Sequence, residues 1–208
     1  MKDFKLLSVK GSWNEILDAA RNTVSKEGLN KEPSKKFKRG ILIAEHSPIR
    51  SRLFKWKWKN LPSFCATHFA RHHSGFEKWI SSQRNDRQNK YDRESAPQNA
   101  PVSFIGEANT QALINMSRVR LCFSADPTTR KKMEELKKEI RQADEEIAWA
   151  MVPSCIRAFG CVEEGVGSKC EFFKKFLERH PEITVHTSIQ ERYDIYNKEF
   201  YEQHKEEE

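Results

Sequence analysis

The sequence predicts a mixed α/β domain of the α+β class with a helical C-terminal extension, on three observations. Phe54, Trp56 and Trp58 alternate with Lys55, Lys57 and Lys59, the two-residue period of a half-buried strand. Other segments carry apolar residues at three- and four-residue steps behind capping residues, the period of amphipathic helices. The chain of 208 residues is long enough for one good-sized core. It has no run of about 18 apolar residues, so no helix spans a membrane.

Ser12-Trp13-Asn14-Glu15 reads as a capping box, and Ile16, Leu17, Ala20 and Val24 continue it as a helix that ends before Gly28. Residues 29–39 are basic and turn-like. Gly40 to Ala44 is a short apolar run, either a strand or a helix end. After the strand at 53–59, Pro62 opens a helix carrying Phe64, Cys65, His68, Phe69 and His72, with Arg71 to His73 in its last turn. Residues 82–100 form a polar loop, and Pro101 to Ile105 a short strand. Asn109 caps a helix with Leu113, Met116, Val119 and Leu121 on it. Asp126-Pro127 starts another, whose apolar face is Met133, Leu136, Ile140 and Ile147. The charged block 130–146 reads as a solvated helix face. Residues 153–170 are a Gly- and Cys-bearing loop, 171–179 a short amphipathic helix, and the Glu206–Glu208 tail should fray.

A formal charge of +7 favours anionic partners: nucleotides, phosphorylated cofactors or nucleic acid. The N-terminus lacks the apolar core and cleavage site of a signal peptide, so a cytoplasmic location is expected. Five cysteines fit reduced thiols. Cys155, Cys161 and Cys170 cluster ahead of His180 and could hold zinc, but without a Cys-x-x-Cys knuckle the expectation is no metal.

Four of the seven histidines fall at His46, His68, His72 and His73, with Arg50 and Arg71 in the same window. Imidazole and guanidinium in such density are costly to bury unless an anion meets them, so the window reads as a phosphate site. The plainer alternative for His72 and His73 is an exposed helix end favoured by the dipole. For His46 the plainer alternative is an ordinary loop histidine.

Arg71-His72-His73 closing a helix, with Ser81 after it, resembles the Arg-His-Arg signature of the flavin-dependent thymidylate synthases. His46-Ser47-Pro48 resembles that family's His-Glu-Thr-Pro segment, and Ala19-Ala20-Arg21 with Ser25 its early Ala-Ala-Arg-x-Ser. Arg93 to Asn99 resembles Arg-x-x-Leu-Pro-x-Asn, and Asn109 to Leu113 resembles Asn-Ala-Arg-Ser-Leu. Ser117 to Leu121 ends its helix as the family's Leu-Arg-Leu does. The likeness covers roughly residues 15–130. It departs at His73 for the second Arg, at Lys78-Trp79 for the tail's Asn-Glu, at Gln111 for Arg and at Gln83 for the tail's Arg.

The resemblance implies a central antiparallel sheet flanked by helices, with residues 1–150 as the synthase-like domain and 151–208 as a Cys-bearing loop and helical extension. It implies methylation of dUMP to dTMP with FAD as cofactor, and NADPH and methylenetetrahydrofolate as co-substrates, in a homotetramer. His46, Ser47, Arg71, His72, His73, Asn109 and Gln111 would line the flavin. His68, Ser81, Arg84, Arg93 and Arg120 would hold dUMP, with Arg84 gripping the phosphate through a one-residue slip, and Arg120 and His72 would serve catalysis. A related flavoenzyme making 5-hydroxymethyl-dUMP is the near alternative. A basic module for single-stranded nucleic acid is the alternative of another class, motivated by the Lys/Trp alternation and the loop 82–93. A small zinc-bearing interaction protein is a third.

Overall fold

Alternation along Leu53–Pro62 (β2) puts Phe54, Trp56 and Trp58 on one face with no solvent exposure, and lysines on the other. In the computed structural model, which describes residues 3–88, 92–163 and 170–204, β2 is the second strand of an antiparallel sheet. The others are Phe4–Lys10 (β1), Phe76–Ile80 (β3) and Pro101–Asn109 (β4), in spatial order β1-β2-β4-β3. Neither β1 nor β3 was expected from the sequence, and β4 runs four residues past the anticipated Pro101–Ile105.

Gly106 of β4 pairs with Trp56, and a Cβ there would stand 2.6 Å from the Trp56 ring and 2.9 Å from Phe76. The bare backbone lets those two rings stack, with centroids 5.6 Å apart and planes 5° from parallel. Trp58 stacks on Phe69 at 5.0 Å and meets Trp56 edge-on at 5.7 Å. Phe69 belongs to Ser63–Ala70 (α3), whose Cys65 and Ala66 are also buried.

The chain divides into two compact units, Met1–Glu32 with Ser47–Ala112, and Pro33–His46 with Leu113–Glu208. The first holds the sheet, α3 and Trp13–Asn22 (α1), where the Ser12 hydroxyl accepts the Glu15 N–H at 3.1 Å. Helix α1 stops short of Val24, which is 61% exposed, so that residue is not on an apolar helix face as its spacing suggested.

The second unit is helical. Residues expected as a basic loop instead begin Lys35–Ala44 (α2), because Ser34 caps the Phe37 N–H and Ile41 and Leu42 are buried one turn on. The Gly40–Ala44 run is the end of that helix. Thr110–Arg120 (α4) leads to Pro127–Ala143 (α5), which begins as expected with Asp126 accepting the Thr129 N–H at 2.8 Å. Ile147 lies in a separate helix, Glu145–Ala150 (α6), because Asp144 leaves helical geometry and caps the next start. Ser154–Ala158 (α7), Phe172–Arg179 (α8) and Ile189–Gln203 (α9) follow.

The charged block of α5 is not wholly a solvated face. Lys137 is fully buried, and its ammonium donates to the Ala148 and Met151 carbonyls and to Asn197 Oδ1, each at 2.7 Å. An α+β architecture with a helical C-terminal half is therefore what the chain adopts. Among the described residues no helix is long and apolar enough to cross a membrane. Parts of two anticipated loops (89–91 and 164–169) and the Glu206–Glu208 tail lie outside the described residues.

Candidate functional site

Helix α3 starts where Pro62 ends the strand, and residues around Gln98 receive that start. The Gln98 carbonyl accepts the Ser63 hydroxyl at 2.6 Å and the Phe64 N–H at 3.1 Å, and the Ala100 carbonyl accepts the Ser63 N–H at 3.0 Å. The segment Arg93–Asn99 is thus joined to the helix that leads to the histidines. Half-buried His68 lies on α3 with its ring edge-on to Phe64 at 6.0 Å.

The helix ends at Ala70, one residue before the signature triplet. Arg71 is its C-cap, and His72 and His73 lie in the loop to β3 rather than in a last helical turn. A turn follows in which Gly75 has φ +70, a conformation that suits glycine. Arg71 and His73 are exposed and His72 is half-buried. Their backbone is held: the His72 N–H donates to Phe69 O at 3.1 Å, Lys78 Nζ donates to His72 O at 2.5 Å, and the Phe76 N–H donates to His73 O at 3.4 Å.

Asn109, at the end of β4, closes this loop from the far side. Its N–H donates to the Gly75 carbonyl at 2.9 Å, and its Oδ1 accepts the Ala112 N–H at 2.9 Å, capping α4 as the sequence predicts. A Cβ on Gly75 would collide with the Asn109 side-chain amide. Half-buried Gln111 follows in the first turn of α4. Arg52 supports the same corner, its carbonyl accepting the Thr110 N–H at 3.0 Å and its Nη1 donating to Gly11 O at 2.6 Å.

Three of the residues assigned to dUMP, Ser81, Arg84 and Arg93, follow β3. Ser81 exchanges two bonds with Ser103: its N–H donates to Ser103 O at 2.8 Å, and its Oγ accepts the Ser103 N–H at 2.9 Å. The hydroxyl hydrogen of Ser81 is not consumed by either. Arg84 points its fork at Asp86, with Nε and Nη2 at 2.9 and 2.8 Å from the two carboxylate oxygens. The backbone N–H of exposed Arg93 donates to Asn85 Oδ1 at 2.8 Å, and Asn85 Nδ2 donates to Asp92 Oδ1 at 2.8 Å.

His46 and Arg120 belong to the second unit, while all the other candidate site residues belong to the first. Exposed His46 follows Glu45, the left-handed C-cap of α2. Glu45 is gripped by Arg118, and by Arg157 at 2.9 Å, whose Nη1 also donates to Ile43 O at 3.1 Å. Arg118 is therefore structural, and Arg120 is half-buried in the last turn of α4. Exposed Ser47 opens a 3-10 turn over Ser47–Ser51.

Sequence reasoning missed Gly75 and Lys78, which fix the backbone of the triplet. Ser74-Gly75 was a readable turn signal; the Lys78 contact, six residues from His72, had none. The aromatic alternation on β2 is sheet core, not a stacking platform, and Lys55 is engaged by Glu107 at 3.6 Å and lies over the Trp79 ring at 4.6 Å.

No protein-family model matches the chain, and no curated protein matches it by sequence. Among solved structures it is similar to a UMP/dUMP methylase, PolB from Streptomyces cacaoi, determined with bound 5-bromo-dUMP. The TM-score is 0.58 over 71% of this chain and 93% of that one, with 13% of residues identical. At that identity the likeness is one of fold.

Proposed function

We propose that this chain is a flavin-dependent methylase acting on C5 of a uracil nucleotide, with dUMP converted to dTMP. One observation carries the proposal: Arg71, His72 and His73 sit on a loop whose backbone is fixed by Gly75, Lys78 and Asn109. A fixed backbone with exposed basic side chains suits a ligand that is large, planar and anionic. The fold is that of a protein whose name states activity on UMP and dUMP.

The donor set fits FAD. Guanidinium and imidazole N–H groups at Arg71, His72 and His73 match pyrophosphate oxygens and the negative charge of a reduced flavin. Asn109 and Gln111 add amide donors beside them. When bound, reduced flavin supplies the hydride and methylenetetrahydrofolate the carbon, with NADPH as reductant. The residues of the chain bind, orient and hold charge. His68 and the Ser81 hydroxyl approach the nucleotide, and the Arg84 and Arg93 guanidiniums take its phosphate. Cys65, the one cysteine of the first unit, is fully buried, so that unit offers no thiol to attack the base.

The test is to incubate the purified chain with FAD, NADPH, methylenetetrahydrofolate and either dUMP or UMP, and to weigh the product. A gain of one methyl group on dUMP supports the reading. A gain of hydroxymethyl would move it to the sister reaction. A colourless chain that binds neither FAD nor dUMP would overturn it. Exposed Arg71→Ala should fold normally and lose FAD binding by about tenfold or more, the loss of one charge-assisted fork.

A further inference from the structure

Lys78 stands where the strand period calls for an apolar side chain. On β3 it pairs with Gly106 of β4, and Gly106 pairs with Trp56 of β2. The three positions share one face, the face that carries Phe54, Trp56 and Phe76. Those aromatic residues are buried, and Lys78 is half-buried beside them on an edge strand. An ammonium there has lost part of its hydration and needs other partners.

The chain supplies few. Lys78 Nζ donates to the His72 carbonyl at 2.5 Å and lies 5.3 Å from the centre of the Phe76 ring. Among the described residues it has no ion pair, and alternation turns the adjacent Glu77 to the opposite face, where it pairs with Glu107. Two of the three ammonium N–H groups are therefore unspent. The loop it clamps contains Arg71, His72 and His73, and residues 69–76 include no acid. Holding a carbonyl takes a donor but no charge. A lysine brings a charge as well, in a half-buried place where its pull on an anion is stronger than in open water.

We propose that Lys78 is a phosphate-binding residue, its unspent N–H groups meeting the pyrophosphate of FAD together with Arg71, resting on the reading above that this loop holds FAD. Phosphate oxygens accept several N–H groups at once, and an ammonium acts as a point charge beside a guanidinium fork. The anchor on His72 keeps the ammonium from swinging into solvent, so little rotamer freedom is left to lose on binding. The anion in turn gives the half-buried cation the counterion that no described side chain provides.

Binding of FAD, FMN and riboflavin to the purified full-length chain decides it, followed by flavin fluorescence, with circular dichroism to monitor folding. Riboflavin carries the same ring without phosphate. Lys78→Gln keeps an N–H donor for the His72 carbonyl and removes the charge. It should weaken FAD and FMN at least about tenfold and leave riboflavin within about twofold. Lys78→Arg, which keeps the charge, should recover most of the lost FAD affinity. In the wild-type chain FAD, and not riboflavin, should slow acetylation of Lys78 mapped by mass spectrometry, a readout that stands even where Lys78→Gln fails to fold. An equal loss for riboflavin and FAD makes Lys78 a backbone clamp alone and overturns the assignment. Unchanged FAD affinity in Lys78→Gln overturns it too, as does acetylation that FAD leaves as fast as before. A wild-type chain that binds no flavin overturns the reading of the loop itself, and this assignment with it.

Discussion

Asn109 gives its backbone N–H to the Gly75 carbonyl at 2.9 Å, and its side-chain amide fills the space a Gly75 Cβ would need. The start of α4 and the turn after the basic triplet are therefore one packed unit. Gly75→Ala meets two costs, a left-handed φ and the displacement of an amide that caps a helix, together about 2–3 kcal/mol. Urea unfolding measures it. Asn109→Ala in the Gly75→Ala background should cost less than the sum of the single changes. Strict additivity would show that the two residues do not share one packing arrangement.

Arg84 holds Asp86 in a two-toothed ion pair, the geometry a phosphate would take. Asp86→Asn should therefore tighten dUMP binding a few-fold and Arg84→Ala weaken it about tenfold, read by calorimetry. Unchanged affinity in both variants would remove Arg84 from the phosphate site and leave the task to Arg93.

Glu45 links the end of α2 to Arg118 and Arg157. Glu45→Gln keeps the shape and removes the charge, so two guanidiniums lose their counterion in a half-buried place. A loss of about 1–3 kcal/mol is expected in denaturant unfolding. Arg157→Lys should recover little, since the fork that also reaches the Ile43 carbonyl is absent.

Lys137 sets a pH dependence. Burial pushes its ammonium well below the ordinary lysine value of 10.5, with Arg141 adding to the shift. Below the lowered folded value both states hold the proton and the slope vanishes. Between that value and 10.5 the unfolded chain holds a proton the folded chain has lost, so stability rises with pH. Lys137→Met should abolish that rise and leave three buried acceptors without a donor, at a cost of roughly 2–4 kcal/mol. Unfolding curves across alkaline pH compare the two. Parallel curves would refute the assignment.

The parts of the fold that were legible are those with local causes. The β2 alternation, the Asn109 and Asp126 caps and the α8 helix follow from period and capping chemistry. Strands β1 and β3 were not legible, because their apolar residues are paired by distant partners: Phe4 packs on Trp58 and Phe76 on Trp56. Lys137 looked like one more surface charge, since nothing nearby in sequence announces the carbonyls of Ala148 and Met151. In the site, residue types and order could be read. What surrounds them could not: the Arg84 partner two residues on, the Gly75–Asn109 contact across 34 residues and the grip on Glu45 all arise only after folding.

Phe69 and Phe76 flank the triplet loop, and each stacks on a tryptophan of the same strand, Trp58 and Trp56. The six residues between them are slung like a bridge deck from two piers on one foundation. How far Arg71 and the histidines can travel toward a ligand is then governed by a strand that carries none of the chemistry. Trimming either indole, as in Trp56→Leu, would loosen the span at one abutment. Activity there should fail through slack in the loop before the sheet itself comes apart.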